Sequence, residues 1–428
     1  MYDGVIMPRT SGLLVGLLSA TVFLAPAAAE TAPASGSSAA AAEKATATSA
    51  PSIIRAETIR LAGRRYVAAL ADGGSAELTL DPRLQQSTEN VLRAFQIPFG
   101  AAVVVSIPDG RVLAMVGQSA ADPRLGASEL ALRAWAPAAS VFKVISATAL
   151  VENGVMGNTK TCYHGGVSAI VADNLLDLPA IDRRCETLAF GLGKSQNAII
   201  AKLASRHLNA GELARVGHSF AFDEVIPFEL PVEPSHLDVP TDDLEFARTA
   251  AGFWHSTLSP MHGALLAAAI ANRGEMPAPM LIERAVDRDG RPIVQPMASP
   301  RHVVNAAAAR EVGRMMELTT RMGTAKGTFR DKRGRRVLPV EVAGKTGTLS
   351  AETDRGYVGY SWFVGYAPAE RPTIAFAVVL GNHPNWRIKA TYVGRHIVGE
   401  YVAARSTAPR LLASRSWEAS KGSHALPR

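Results

Sequence analysis

The sequence predicts an α+β protein in which a central, mainly antiparallel sheet is covered by helices and accompanied by an all-helical subdomain. Alternating apolar residues over 101–117 turn at Pro108-Asp109-Gly110, a pattern typical of a hairpin. A helical block covers about 140–274, and three β-rich runs and an amphipathic helix follow it. Strands on both sides of a helical block indicate one mixed sheet with an inserted helical part.

Local signals set the limits of these elements. N-cap residues at three positions each predict the beginning of a helix. They are Asp81, with a helix to about Phe95, Ser259, with a helix ending at Gly274, and Asn305. A long loop that contains both cysteines interrupts the helical block. The β-rich runs are 337–349, 357–366 and 373–381, and the last helix covers about 390–404.

The composition is that of a globular protein. Of the 428 residues, 47% are hydrophobic, which is ample for a packed core. The net charge of +7 is spread along the chain without a nucleic-acid recognition motif, so nucleic acid is not an expected partner. The histidines and cysteines have no zinc spacing, and no glycine-rich phosphate loop occurs, so neither a metal nor another cofactor is expected.

The N-terminal residues predict export. Arg9, an apolar run and three consecutive alanines have the order of a signal peptide, which predicts a leader at 1–29. A membrane anchor retained at 11–29 is the alternative, and Met7 competes with Met1 as the start of the protein. We therefore expect an exported protein of the periplasm or cell envelope.

The segments that flank the folded part are low in bulky apolar residues. Residues 30–52 are rich in Ala, Ser, Thr and Pro, which predicts a disordered linker. The folded domain is expected at 53–405. The polar residues 406–428 predict a disordered tail.

Cys162 and Cys185 are the two cysteines of the chain. In an exported protein an even number of cysteines favours a disulfide. The bond would close a loop of about two dozen residues and stabilise the fold by roughly 3 kcal/mol. Two free thiols are the alternative.

Ser140 and Lys143 form the first of three short motifs. Positions i and i+3 share one face of a helix, so the two side chains can meet. Serine attacks poorly unless a neighbouring base takes its proton, and lysine becomes that base when burial and a second cation lower its pKa. Ser140 also lies at a predicted helix start, where its N–H can face a developing oxyanion. A surface lysine is the alternative for Lys143, and the other two motifs decide against it.

The second motif is Ser195-Gln196-Asn197, at the beginning of a predicted helix. We expect Ser195 to relay protons and Asn197 to bind a substrate amide. An ordinary N-cap is the alternative for Ser195, because serine is common at that position.

The third motif, Lys345-Thr346-Gly347-Thr348, lies on a predicted strand. Alternation puts Lys345 and Gly347 on one face. We expect Lys345 to supply the second cation and to bind a substrate carboxylate. Gly347 would let an extended substrate approach the backbone, and the Thr348 N–H is a candidate oxyanion donor. With Thr346, these residues form the predicted substrate-binding segment.

In this order the motifs resemble those of penicillin-binding proteins and class A β-lactamases. The resemblance to penicillin-binding protein transpeptidase domains extends over about 78–405 and includes "LTLDPRLQQ", "GTAKGTF" and "SWFVGYAP". It implies a β-lactamase/transpeptidase-like fold, an acyl-enzyme on Ser140 formed from the D-Ala-D-Ala end of a peptidoglycan stem peptide, and covalent capture by β-lactams. One departure is Ala138-Ala139, because Pro-Gly usually precedes the nucleophile in such domains.

The resemblance predicts a penicillin-binding serine D,D-transpeptidase that cross-links the cell wall. Stem peptides and β-lactams are the expected partners, and a glycosyltransferase or another cell-wall synthesis protein is a further candidate. A D,D-carboxypeptidase differs only in the acceptor, which is water. A β-lactamase is disfavoured because the region after Ser195 lacks the Glu-x-x-Leu-Asn segment of class A enzymes. A non-catalytic β-lactam sensor or cell-wall scaffold is the alternative of another class, and the intact motifs argue against it.

A dense basic run lies between 326 and 336. A solvated hairpin before the Lys345 strand is the favoured interpretation, over a binding patch for anionic wall polymers.

Overall fold

The structure is a computed structural model that describes residues 53–294, 298–353, 356–383 and 387–421. The predicted leader at 1–29 and the linker at 30–52 lie outside the described residues. Within the described ranges, none of the helices combines the length and the apolar character needed to cross a membrane.

Several helices of the described residues begin where a capping side chain accepts from their first N–H groups. The side chains of Asp81, Ser259 and Asn305 accept such bonds, so the three predicted N-caps are confirmed. In chain order the helices are α1 (Pro82–Ala94), α2 (Ala127–Leu132), α3 (Lys143–Glu152), α4 (Leu188–Gly193), α5 (Asn197–His207), α6 (Ala210–Ser219), α7 (Asp243–Ala250), α8 (Pro260–Ala271), α9 (Ala306–Arg321), α10 (Lys326–Phe329) and α11 (Ala390–Lys421).

The strands range from two-residue pairs to the long strands of the central sheet. In chain order they are β1 (Arg60–Ala62), β2 (Arg65–Ala69), β3 (Ser75–Leu78), β4 (Phe99–Ser106), β5 (Val112–Gln118), β6 (Ala136–Pro137), β7 (Lys160–Tyr163), β8 (Arg184–Thr187), β9 (Thr257–Leu258), β10 (Glu275–Met276), β11 (Ile282–Val286), β12 (Pro292–Ile293), β13 (Arg301–His302), β14 (Ala343–Thr353), β15 (Gly356–Ala367) and β16 (Ile374–Asn382).

The central sheet joins strands that are far apart in the sequence. Its order is β14–β15–β16–β4–β5, and every neighbouring pair is antiparallel. One row across the sheet contains Lys345, Val364, Ala377 and Val103. The predicted hairpin over 101–117 is the β4–β5 pair, and the predicted fold class is confirmed.

Apolar side chains cover both faces of this sheet. Strands β4 and β16 are buried along their whole length, as expected for a layer between helices. Val103 belongs to the core that contains Leu265 of α8, whereas its neighbour Val104 belongs to a second core with Val393 and Ile397 of α11. The alternation of side chains along a strand separates the two cores.

Helices α3 to α7 form the helical subdomain that the sequence predicts. Within it, α3 packs against α5. Two short strand pairs, β6–β9 and β7–β8, lie among these helices. The pair β6–β9 joins the segment before Ser140 to the segment before α8. The pair β7–β8 occupies part of the loop that was predicted around the cysteines.

Cys162 and Cys185 lie opposite each other on β7 and β8 and form a disulfide. Near this pair, Lys202 of α5 is fully buried and lies 2.7 Å from Asp182. Burial alone would raise the pKa of Asp182, but hydrogen bonds from Lys202 and His164 lower it overall. The disulfide therefore joins β7 to β8, and the ion pair attaches the 160–187 segment to α5.

Two element limits differ from the sequence prediction. Strand β14 begins at Ala343 rather than at 337, because Pro339 has no N–H for a sheet and Leu338 packs on the second core instead. Helix α11 continues to Lys421, beyond the predicted end near 404. Residues 406–421 of the predicted tail are therefore helical.

A second five-stranded sheet was not predicted. Its order is β1–β2–β3–β11–β12, so it joins residues 60–78 to residues 282–293. The basic run lies at an exposed turn in which Arg330 pairs with Arg336 and Gly334 has a φ of +77°. This turn agrees with the predicted solvated hairpin before β14.

Candidate active site

Ser140 lies in a 3₁₀ turn at Ala139–Val141 that leads into α3. Ala139 has a φ of +49°, in the left-handed region that is unfavourable for residues with a Cβ. The turn is held from the other side because the Ala138 N–H donates to the Ser256 carbonyl at 3.0 Å. The backbone before Ser140 is therefore fixed by β6–β9 and by this bond.

Gly252 lets a second loop lie directly on this turn. Its φ is +81°, and a Cβ there would lie 2.3 Å from the Ala139 carbonyl oxygen and 3.2 Å from the Ser140 Cα. Glycine is required at so close an approach. The contact brings the carbonyl of Ala251 to the amine of Lys143.

Lys143 is fully buried beside Ser140. Its Nζ lies 2.7 Å from Ser140 Oγ, 2.7 Å from Asn197 Oδ1 and 2.6 Å from the Ala251 carbonyl oxygen. Burial holds the pKa of Lys143 well below its ordinary value, and the positive charge of Lys345 lowers it further. Both causes favour the neutral amine, as the sequence predicts.

The three neighbours of Lys143 Nζ match the hydrogen-bonding capacity of a neutral amine. Asn197 Oδ1 and the Ala251 oxygen are carbonyl oxygens and can only accept, so they take two N–H bonds. A neutral amine has two N–H groups and one lone pair. The lone pair is then directed at the Ser140 hydroxyl, which can donate its proton.

Asn197 is the first residue of α5, and both ends of its amide are bonded. Its Oδ1 accepts from Lys143, and its Nδ2 donates to the Val167 carbonyl at 2.9 Å. Asn197 therefore links Lys143 to the loop that follows β7. The sequence predicted substrate binding for Asn197, and the structure gives its side chain these two protein partners.

Ser195 does not cap α5. Its φ is +56°, and Gln196 occupies the N-cap position. The Ser195 Oγ accepts a hydrogen bond from Lys345 Nζ at 2.9 Å. The second and third motifs are thus in direct contact.

Lys345 is fully buried on β14. Its Nζ also donates to the Thr346 carbonyl at 2.8 Å. Burial lowers the pKa of Lys345 to about 7. The amine is therefore close to its titration midpoint at neutral pH, and it has no carboxylate among these bonded partners.

Gly347 allows β14 to lie close to the Ser140 turn. A Cβ there would lie 3.0 Å from Trp362 Cβ and 3.3 Å from Val141 Cγ2, so the glycine faces the protein interior. Trp362 Nε1 in turn donates to the Pro137 carbonyl at 2.9 Å. Gly347 also lines a cavity beside Ser140, and its role in letting a substrate approach the backbone stays a prediction.

Two cavities meet at Ser140. Both are lined by Ser140, Val167, Asn197 and Thr348. The larger, of about 520 Å³, extends past the third motif and is lined by Ser195, Thr324, Thr328, Thr346 and Lys389. The smaller, of about 250 Å³, extends the other way and is lined by Ser168, Gly252, Phe253, Leu349 and Tyr357.

The two cavities differ in charge and polarity. Among the described residues, no carboxylate lines either of them. The larger cavity is rich in hydroxyl groups, and Thr324 Oγ1 lies 2.6 Å from Thr346 Oγ1 at its wall. The smaller contains an aromatic ring from each of Phe253 and Tyr357. The larger cavity therefore suits an anionic group, and the smaller an uncharged one.

Sequence reasoning missed several residues of the site. Ala251 acts through its main chain, so its residue type carries no signal. Val167 lies on the cysteine loop, where no motif occurs. Gly252 lies in the segment "TAAGFWHSTLSP", and Thr324 lies in "GTAKGTF". The glycine of the first segment and the hydroxyl residue of the second are the signals that could have identified these two positions.

A serine hydroxyl next to a buried neutral lysine is suited to covalent acyl transfer, in which the serine is acylated and then released. The fold and the site therefore define an enzyme of the serine acyl-transfer class. Residues 100–401 match the penicillin binding protein transpeptidase domain family. The chain belongs to this family.

Curated relatives and solved structures agree with this family. Over 378 residues the chain is 26% identical to the peptidoglycan D,D-transpeptidase PbpA of Mycobacterium tuberculosis, covering 79% of this chain and 74% of that protein. It is 25% identical to penicillin-binding protein 3 of Bacillus subtilis, covering 73% of this chain and 48% of the relative. The crystal structure of PBPA from M. tuberculosis shares the fold, with a TM-score of 0.64 at 24% identity over 77% of this chain and 80% of that one.

Proposed function

We propose that this protein is a penicillin-binding serine D,D-transpeptidase that acts on the D-Ala-D-Ala end of peptidoglycan stem peptides. The observation that carries the proposal is the position of Ser140 Oγ, 2.7 Å from a fully buried Lys143. Similarity to the peptidoglycan D,D-transpeptidase PbpA supports the substrate class.

In the acylation step, Ser140 Oγ attacks the carbonyl carbon between the two D-alanines and its proton passes to Lys143 Nζ. The N–H groups of Ser140 and Thr348 stabilise the oxyanion. The C–N bond then breaks, and the amine of the terminal D-alanine leaves with a proton from Lys143 or from Ser195. The product is an ester between Ser140 and the remaining peptide.

The linings of the two cavities support one direction for the bound substrate. The terminal carboxylate lies in the larger cavity against Thr346 and Thr348, close to the buried cation Lys345. The acyl part of the stem peptide lies in the smaller cavity, where the described lining residues carry no charge. Ser140 is at the boundary between them, where the scissile bond must lie.

In the second step an acceptor amine attacks the ester carbonyl and restores the Ser140 hydroxyl. A water molecule would give hydrolysis instead. Fast hydrolysis needs a base that activates water, and no carboxylate among the described residues lines either cavity. The lack of a carboxylate base in these linings favours transfer over β-lactamase activity. Lys143 can activate either water or an amine, so the acceptor distinguishes a carboxypeptidase from a transpeptidase.

Export of the protein is part of the proposal. Residues 1–29 have the order of a signal peptide or an anchor, and a disulfide at Cys162–Cys185 suits an oxidising compartment. The proposed location is the periplasm or cell envelope, where peptidoglycan is cross-linked. Contact with a glycosyltransferase or another cell-wall synthesis protein is a further candidate.

The test is a covalent label with fluorescent penicillin, read by gel and by intact mass. We expect one stable adduct in the wild type, none in Ser140→Ala, and a normal adduct in the control Ser168→Ala, whose serine lines the same cleft. A folded wild type without label would overturn the enzyme proposal. Rapid turnover of a chromogenic cephalosporin would favour a β-lactamase, and hydrolysis of a D-Ala-D-Ala peptide without transfer to an added amine would favour a carboxypeptidase.

A further inference from the structure

A third cavity lies where the second five-stranded sheet meets α1 and α11. Its volume is about 340 Å³, within the range of pockets that hold small molecules. Its walls come from the β1–β2 turn, the link between β3 and α1, β5, β11 and α11. Among the described residues, it shares no lining residue with the two cavities at Ser140. A ligand held there would therefore bind separately from the substrate.

We call it the arginine cavity, because five of its described lining residues are arginines and three are carboxylates. The arginines are Arg64, Arg65, Arg83, Arg111 and Arg405, and the carboxylates are Asp81, Glu283 and Glu400. The described lining therefore has a net charge of +2. A concave surface with an excess of one charge attracts ligands of the opposite charge.

Each carboxylate of this lining already has a protein partner. Glu400 Oε2 accepts from Arg83 Nε at 3.0 Å, and Glu283 Oε2 lies 3.6 Å from Arg111 Nη1. Asp81 is the N-cap of α1 and accepts from an N–H group of that helix at 3.0 Å. These bonds offset the negative charges, so the excess of positive charge belongs to the other arginines.

Arg64, Arg65 and Arg405 line the cavity, are exposed, and form no ion pair with any carboxylate of the described residues. Arg64 and Arg65 lie at the turn between β1 and β2, where Gly63 has a φ of +61°. The guanidinium carbon of Arg405 lies 4.5 Å from the centroid of the Tyr401 ring, and this contact holds the side chain on the cavity wall. Three guanidinium groups in one cavity are therefore available to an anion.

We infer that the arginine cavity binds a phosphate group. A carboxylate has two oxygens and is satisfied by one bidentate guanidinium, whereas a phosphate has more oxygens and can bridge several guanidinium groups. A phosphate with two negative charges also matches the net charge of the described lining. The phosphate can belong to a soluble molecule or to a lipid headgroup, and the chemistry of recognition is the same for both.

The test titrates the full chain with inorganic phosphate and with malonate, followed by calorimetry. Malonate has a similar charge but carries it on two carboxylates, so the comparison separates phosphate recognition from attraction of any dianion. We expect phosphate to bind more tightly than malonate and to bind more weakly at high salt. Equal binding of malonate, or no binding of phosphate, would overturn the inference.

Two further probes distinguish the sources of the phosphate. Glycerophosphoglycerol is a soluble phosphodiester, and vesicles of phosphatidylglycerol in phosphatidylcholine present the same headgroup on a membrane. Binding of inorganic phosphate and of the soluble diester without vesicle binding would assign a soluble ligand. Vesicle binding in addition would assign a lipid headgroup. Vesicle binding without any binding of the soluble phosphates would contradict a site in the cavity.

A triple variant removes the three guanidinium groups that have no ion pair. Arg64→Gln, Arg65→Gln and Arg405→Gln together should raise the Kd for phosphate by roughly ten- to hundred-fold, as expected for the loss of three exposed charge-assisted contacts. None of these residues lines the cavities at Ser140, so the rate of the penicillin label should be unchanged and reports that the variant is folded.

A matched triple variant controls for net charge. Arg93, Arg184 and Arg310 are exposed, form no ion pair among the described residues and lie outside the lining of the arginine cavity. Their joint replacement by Gln removes the same charge and should change the Kd by less than about two-fold, because salt screens distant charges. An equal loss of binding in both triple variants would overturn the inference. The inference does not depend on the proposed function, because phosphate binding is measured without acylation.

Discussion

Ser195 Oγ lies 2.9 Å from Lys345 Nζ although the two residues are 150 positions apart. Ser195 is held by the turn before α5, and Lys345 by the central sheet. The contact joins the turn before α5 to β14 and holds the Lys345 amine near Lys143. The pKa of Lys143 therefore depends on the charge state of Lys345.

The rate of acylation should have a bell-shaped pH dependence. At a pH below its lowered pKa, Lys143 is protonated and cannot accept the Ser140 proton. The decline of the acylation rate on the acid side therefore reports the titration of Lys143. Lys345 loses its charge as the pH rises through about 7, and with it the attraction for a substrate carboxylate. We expect kcat/KM for penicillin acylation to decline on this alkaline side, measured by stopped-flow labelling.

Two controls separate this cause of the alkaline limb from others. Lys345→Arg keeps a positive charge at all these pH values, so its alkaline limb should move far upward. A thioester donor whose leaving group lacks a carboxylate should show no such limb with the wild type. An alkaline limb that persists with the thioester would contradict the assignment to Lys345.

Replacing Lys143 should abolish catalysis without unfolding the protein. Lys143→Arg cannot release its proton near neutral pH, so we expect acylation to slow by about 10²- to 10⁴-fold. Lys143→Met, which fits the buried site without a charge, should be equally slow. Stopped-flow labelling gives the rate, and circular dichroism checks the fold.

Lys202 offers a matched control for that experiment. It is a second fully buried lysine on a helix, but its partner is Asp182 rather than a serine. Lys202→Met should lower the free energy of unfolding by about 3–5 kcal/mol, because Asp182 is left as a buried charge without its partner. The folded fraction should still be acylated at nearly the wild-type rate. Equal loss of acylation in the Lys202 and Lys143 variants would show that the latter effect is structural.

Ala139→Gly should stabilise the protein. The left-handed conformation costs a residue with a Cβ about 1–2 kcal/mol, and glycine avoids this cost. Glycine also has more conformational entropy in the unfolded state, which offsets about 0.5–1 kcal/mol of the gain. We expect a net gain of about 0.5–1 kcal/mol in the free energy of unfolding, measured by urea denaturation. The penicillin label shows whether Ser140 reacts faster once this strain is removed.

The preceding residue supplies the control for Ala139. Ala138 has φ −62° and ψ −23°, which is ordinary helical geometry, so Ala138→Gly should destabilise the protein by about 0.5–1 kcal/mol. A gain in the free energy of unfolding at Ala139 and a loss at Ala138 would be specific to the backbone conformation of each residue. The same sign at both positions would rule out strain at Ala139 as the explanation.

Removal of the disulfide should weaken the fold and loosen the wall of the cleft. The double substitution Cys162→Ser and Cys185→Ser opens a loop with a sequence separation of 23. Opening a loop of this length lowers the free energy of unfolding by about 3 kcal/mol. The loop after β7 carries Val167, which accepts from Asn197, so acylation should also slow. Reduction of the wild type with a phosphine should shift its unfolding midpoint as far as the double substitution does, and should leave the double variant unchanged. A wild type that does not respond to the reductant would refute a stabilising disulfide.

The sequence was sufficient to predict the three motifs and the central antiparallel sheet. It was not sufficient to predict which residues surround the motifs. Ser140 and Lys143 are three residues apart, so helix geometry alone predicts their contact. The Ala251 carbonyl reaches Lys143 only because Gly252 has no Cβ, and a main-chain partner leaves no mark on residue type. Substrate binding by Asn197 stays a prediction, and its bond to Val167 involves a loop whose path a single sequence does not specify.

The pairing of β4 with β16 has a consequence for how the polypeptide is made. Residues 99–106 leave the ribosome early, but their sheet neighbour at 374–382 is synthesised near the end. Lys345 likewise reaches Ser195 only after most of the chain exists. Contacts between such distant segments form slowly and late, so partly synthesised chains have no working nucleophile. The enzyme therefore becomes reactive only after β16 has been made and has paired with β4.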